Sequence, residues 1–65
     1  MGYTVKHGET VKGRFETKEE ALKEVARLCR SEKPLPVHIS PGGIEHYSDP
    51  LKNVVSLIPD PVQEG

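Results

Sequence analysis

Apolar and polar positions alternate with a period of two through residues 3–7 and again through residues 11–15. Tyr3 and Val5 share one side of the first run, with Thr4 and Lys6 on the other. Val11 and Phe15 flank Gly13 in the second. This period marks short strands with one buried face. Gly8-Glu9-Thr10, between them, is of hairpin length. Pairing His7 with Val11 sets Tyr3 opposite Phe15, a favourable aromatic cross-strand contact, and Val5 opposite Gly13.

The period then changes to that of a helix. Over residues 17–31, Ala21, Leu22, Val25, Ala26, Leu28 and Cys29 recur on one face, with Lys23, Glu24, Arg27 and Arg30 opposite. Thr17 is the expected N-cap, and Glu20 three residues later completes a capping box. Glu19 and Glu20 sit at the positive end of the helix dipole and Arg27 and Arg30 near the negative end, where each charge is favoured. Pro34 disfavours helical geometry at the residue before it, so the helix ends by Lys33.

Alternation returns after the helix. Leu35, Val37 and Ile39 interleave with Pro36, His38 and Ser40, which predicts a third strand. Pro36 lacks an N–H and belongs at a strand start or an edge. Pro41-Gly42-Gly43 is a turn signal, and residues 44–47 form a short fourth strand. Two-residue turns on Pro41-Gly42 or on Gly42-Gly43 both keep Ile44 and His46 on the face of Val37 and Ile39. Asp49-Pro50 is a helix-start signature, and Leu51, Val54, Val55 and Ile58 follow at helical spacing up to Pro59. A short helix is the preferred reading. The alternative is an extended strand over residues 53–58, because Val and Ile favour strands. Residues 59–65 are expected to be a flexible tail.

Composition narrows the class. The chain has 65 residues, 34% of them hydrophobic, with no Trp and one Phe. That is one small domain with a thin core, which a second subunit would help to complete. A single Cys excludes an internal disulfide and a Cys-based zinc cage, and fits a reducing, cytoplasmic setting. On the apolar helix face, Cys29 reads as a small buried side chain. No run approaches a membrane span. The net charge of −1 supplies no overall attraction to nucleic acid or anionic lipid.

The stretches GRFETKEEALKEVARLC and LPVHISPGGIE resemble a family of small uncharacterised bacterial and phage domains. In that family a Thr-Lys-x-Glu-Ala helix start is followed by a Val-His strand and a Gly-Ile turn. Thr17, Lys18, Glu20, Ala21, Val37, His38, Gly43 and Ile44 match that pattern here, and the likeness covers about two thirds of the chain. That family has no assigned catalytic activity, so the resemblance implies a fold and transfers no site.

Candidate chemistry is sparse. By the two-residue turns, His38 and His46 land on opposite faces and share no metal, so neither a metal nor any other cofactor is expected. Cys29 with His46 on the core face would lack the orienting group and oxyanion hole of a nucleophilic site, and no enzyme is expected. Alternation gives the outer sheet face Thr4, Lys6, Lys12, Arg14, His38, Ser40, Glu45 and Tyr47. Of these, Lys6, Lys12, Arg14, His38 and Tyr47 are the candidate binding residues for nucleic acid or an acidic partner. Leu51, Val54, Val55 and Ile58 form a candidate interaction segment.

The expected fold is therefore α+β. An antiparallel sheet of three to four strands carries one long helix on one face, in the order β-β-α-β-β, followed by a short C-terminal helix or extended segment. Residues 1–47 form the ββαββ domain, residues 48–58 the apolar segment and residues 59–65 the tail. The expected core is Tyr3, Val5, Val11, Phe15, Leu22, Val25, Ala26, Cys29, Val37, Ile39 and Ile44. The expected function is a non-enzymatic binding or assembly module acting on a protein partner or on itself as a homodimer. Nucleic-acid binding through the basic sheet face is the alternative, and no membrane partner is expected.

Overall fold

Two hairpins and a helix are joined by a strand that comes last in the chain and lies in the middle of the sheet. A computed structural model describes residues 2–61. The elements run β1 (Tyr3–His7), β2 (Thr10–Phe15), α1 (Lys18–Cys29), β3 (His38–Ser40), β4 (Ile44–Ser48) and β5 (Val54–Pro59). They build one five-stranded sheet in the order β2-β1-β5-β4-β3, with every neighbouring pair antiparallel. The fold is α+β, with one strand more than the sequence predicts. Among the described residues no helix is long and apolar enough to cross a membrane.

The extra strand is the C-terminal segment, and the preferred helical reading of it is wrong. Tyr3–Pro59 through His7–Val55 pair β1 with β5, and Glu45–Leu57 through Ser48–Val54 pair β5 with β4. The Asp49-Pro50 signal works as a cap with no helix behind it. Asp49 Oδ1 accepts from the backbone N–H groups of Leu51 and Asn53, at 2.9 and 2.7 Å. An N-terminal helical turn would use the carboxylate in the same way. Lys52 then turns to φ 65°, and Asp49 N–H donates to Asn53 O at 3.0 Å, closing the loop back toward β4. The β-branched run of Val54 and Val55 prevails because both strand neighbours are waiting for it.

The helix starts and stops as its sequence indicates. Thr17 Oγ1 accepts from Glu20 N–H at 3.2 Å. Arg30 ends α1 in the left-handed region at φ 53°, where its N–H reaches the carbonyls of Ala26 and Arg27. Ser31 N–H also bonds Ala26 O, so the carbonyls of Ala26 and Arg27 are satisfied at this end.

In the first hairpin, Tyr3 faces Phe15 and Val5 faces Gly13, as expected, but His7 faces Thr10 and Lys6 faces Val11. The loop is Gly8-Glu9 alone, with Gly8 at φ 63°, a position a glycine takes without strain. A bulge between these two registers inserts Lys12 and flips the side chains beyond it. Val11 therefore sits on the outer face, 60% exposed. The Phe15 ring lies 3.4 Å from where a Gly13 Cβ would stand and covers the bare backbone there.

In the second hairpin the loop is three residues, Pro41-Gly42-Gly43, with both glycines at positive φ. An odd loop reverses the parity that two-residue turns would give. Ser40 pairs with Ile44, Ile39 with Glu45 and His38 with His46. Ile44 and His46 thus face away from the helix, and Glu45 and Tyr47 face toward it.

The core is Val5, Ala21, Val25, Tyr47, Val55 and Leu57, with Tyr3, Phe15, Leu22, Leu28 and Cys29 packed around it. Of the expected core, Val11, Ala26, Val37, Ile39 and Ile44 are not in it. α1 packs chiefly on β1 and β5 and makes no close approach to β3, so Val37 and Ile39 stay uncovered. The expected tail begins inside the sheet. Pro59 belongs to β5, Asp60 N–H donates to Gly2 O at 2.8 Å, and the Asp60 carboxylate pairs with Arg14. The rest of that tail, residues 62–65, lies outside the described residues.

Candidate functional site

The outer sheet face carries no helix. A row runs across it through Val11, Lys6, Ser56, His46 and His38, each opposite the next. His38 and His46, expected on opposite faces, are cross-strand partners with stacked rings 5.6 Å apart. His46 is tied down by Ser40 Oγ on Nε2 at 2.7 Å and Ser56 Oγ on Nδ1 at 3.5 Å. Both of its ring nitrogens face hydroxyls. No cluster of three or more metal-ligating side chains occurs among the described residues. His46 lies across the sheet from Cys29, so the two never meet.

The five candidate binding residues separate. Lys6, Arg14 and His38 are on the outer face, with Arg14 joined to Asp60. Lys12 leaves that face through the bulge and lines a cleft beside the end of α1. Tyr47 is 1% exposed in the core, where its hydroxyl donates to Glu45 Oε1 at 2.9 Å. Burial, and then the Glu45 carboxylate beside it, push its hydroxyl far above the usual phenol range. Glu45 also meets Lys18 Nζ at 3.0 Å, so this outer-face expectation becomes a link between β4 and the first turn of α1.

The candidate interaction segment divides as a strand does. Val55 is fully buried on the helix side, Val54 is exposed and Ile58 half-buried on the open side, and Leu51 is exposed in the loop before β5. The larger uncovered apolar strip lies elsewhere. Leu35 and Val37, just before β3, and Ile39 within it are 82, 63 and 58% exposed. β3 pairs with β4 on one side, so its other side carries unpaired backbone groups.

A second constellation escapes the sequence pattern altogether. Asp49 is buried at the end of β4, and its Oδ2 meets His7 Nε2 at 2.5 Å. Asn53 Nδ2 bonds the same oxygen at 3.2 Å. Burial alone would raise the Asp49 carboxyl. The bonds from His7, from the Asn53 backbone and side chain, and from Leu51 outweigh it and hold the group below its ordinary value. The Cys29 thiol is pushed up by its own burial and then by the negative charge of Asp49, which keeps it protonated. The only signal in the sequence for this site is Asp-Pro, and it names Asp49 without naming His7.

No family model, curated protein or solved structure matches this chain.

Proposed function

We propose that this chain is a non-enzymatic assembly module that acts by protein–protein contact, pairing with a second copy of itself along the β3 edge. The observation that supports this is the exposed strip of Leu35, Val37 and Ile39 beside a strand with one free edge. Apolar side chains at alternating positions are what an added strand needs for burial, and the free backbone groups supply the ladder. An antiparallel β3-to-β3 contact is self-complementary, as a twofold dimer requires. β3 is short and bounded by Pro36 and Pro41, so the contact closes at two copies instead of growing along the chain.

The test is mass against concentration by light scattering. The full chain should move from monomer to dimer as concentration rises, and Ile39→Lys should remain a monomer throughout. A chain that stays monomeric at about 1 mM would leave no measurable association to attribute to the edge.

Nucleic-acid binding through the outer face has less support. Tyr47 is buried and Arg14 is engaged by Asp60, which leaves Lys6 and His38 of the residues on that face. Phosphate contacts by so few cations would give a shallow dependence of affinity on salt. A steep salt slope with single-stranded DNA or RNA would favour this reading over edge pairing.

A further inference from the structure

A cleft of about 430 Å³ opens between the end of α1, the β2 bulge and the loop that follows β4. Its polar lining is lopsided. Lys12, Arg27, Arg30 and His7 stand around it, and the carboxylate among them is Asp49. Asp49 is already committed to His7, Leu51 and Asn53. Arg27 is gripped by both oxygens of Glu24, at 2.6 and 2.7 Å. Neither Lys12 nor Arg30 makes an ion pair among the described residues.

The helix dipole explains some of this charge, because cations suit the last turn of α1. It does not explain Lys12, which reaches the cleft only because one extra residue is inserted into β2. Nor does it explain the backbone of Arg30. That residue holds φ 53°, a conformation where glycine is the usual occupant. The same backbone with glycine would end the helix equally well and carry no guanidinium. His7 is held on this wall by the buried Asp49 carboxylate, which accepts from its Nε2. The remaining wall is apolar, built by Leu28, Pro50 and the 82% exposed Leu51.

We infer that this cleft binds a small organic phosphate, with the phosphoryl group between Lys12 and Arg30 and an apolar body against Leu28 and Leu51. Two unpaired cations match a dianion better than a single carboxylate. A guanidinium beside an ammonium gives both a forked and a point contact to phosphoryl oxygens. No residue of β3 lines the cleft, so its occupancy is separate from pairing at that edge.

The test is a titration of the full chain at low salt, followed by amide NMR, with phenyl phosphate, inorganic phosphate and benzoate as probes. Phenyl phosphate should shift the amides of Lys12, Arg30 and Leu51 in a saturable way. It should bind about tenfold more tightly than either of the other two. Lys12→Gln and Arg30→Gly should each weaken it by about tenfold while leaving the remaining amide spectrum in place. Arg30→Gly removes the guanidinium and relaxes the backbone, so loss of folding does not confuse the result. Lys23→Gln, on the outer side of α1, should leave binding unchanged. Absence of saturable shifts, equal affinity for benzoate or inorganic phosphate, or unweakened binding by Lys12→Gln would each overturn the assignment.

Discussion

Val37 and Val55 carry the same side chain, yet one is 63% exposed and the other fully buried. Val37 precedes β3, at the rim of the sheet. Val55 lies in β5, between β1 and β4 and beneath α1. Hydrophobicity does not separate the two; position in the strand order does. A single helix spans roughly the width of two or three strands, because strands lie about 5 Å apart and a helix is about 10 Å across. α1 is spent on β1 and β5, so the far side of the sheet has apolar residues and no cover. The centre is where this protein is stable, and the rim is where it has surface to offer.

The largest test of that contrast is a matched pair of truncations. Leu57→Ala in the centre should cost about 2–5 kcal/mol, because a fully buried Leu leaves a cavity among neighbours that cannot close over it. In a domain this small, that threatens the whole folded population at room temperature. Urea unfolding followed by circular dichroism reads it directly. If Leu57→Ala is tolerated with little loss, the centre is not the source of stability and the contrast collapses.

Acid should weaken the centre next, through Asp49. Its carboxyl is depressed in the folded state, so the unfolded chain binds the proton first. The stability from Asp49 is fully present well above its ordinary value of 3.8 and is lost as pH falls through and below that value. Asp49→Asn should flatten this part of the profile of unfolding midpoint against pH. An identical acid limb in the variant would assign the loss to other carboxylates.

Thr17→Ala should cost about 1 kcal/mol by removing the acceptor for Glu20 N–H. Because α1 is the cover over the centre, the loss should appear as a lower midpoint with an unchanged unfolding slope. The smallest effect belongs to the rim. Ile39→Ala should move the stability of dilute monomer by no more than about 0.5 kcal/mol, as surface substitutions do. A loss near that of Leu57→Ala would mean that the rim is buried in solution even at low concentration, which again points to a second copy.

Much of this architecture is legible along the chain, and each departure from expectation has a local cause. α1, both hairpins and the Tyr3–Phe15 pair follow from period and caps, which are short-range signals. The faces of β4 depend on whether three residues or two make the turn at Pro41-Gly42-Gly43, and two adjacent glycines permit either. One residue of difference moved Tyr47 from the open face to the core and brought His46 against His38. The Lys12 bulge is likewise one inserted residue with no signature in composition. β5 was ambiguous because Val54, Val55 and Ile58 satisfy a helical stripe as well as a strand, and only the empty place between β1 and β4 decides between them. The His7–Asp49 pair joins β1 to the loop after β4, so no spacing in the sequence announces it.

The position of β5 also sets a timetable. As the chain leaves the ribosome, the first hairpin, α1 and the second hairpin all emerge before the strand that joins them. Until then β1 and β4 each present a bare inner edge, and Val5 has no Leu57 to meet. The two hairpins can form early, but the sheet closes only when the final strand arrives and slots between them. Pairings this distant along the chain form slowly. A nascent chain paused just after β4 is therefore two half-sheets with sticky inward edges, the form in which this protein is most exposed to chaperones and to aggregation.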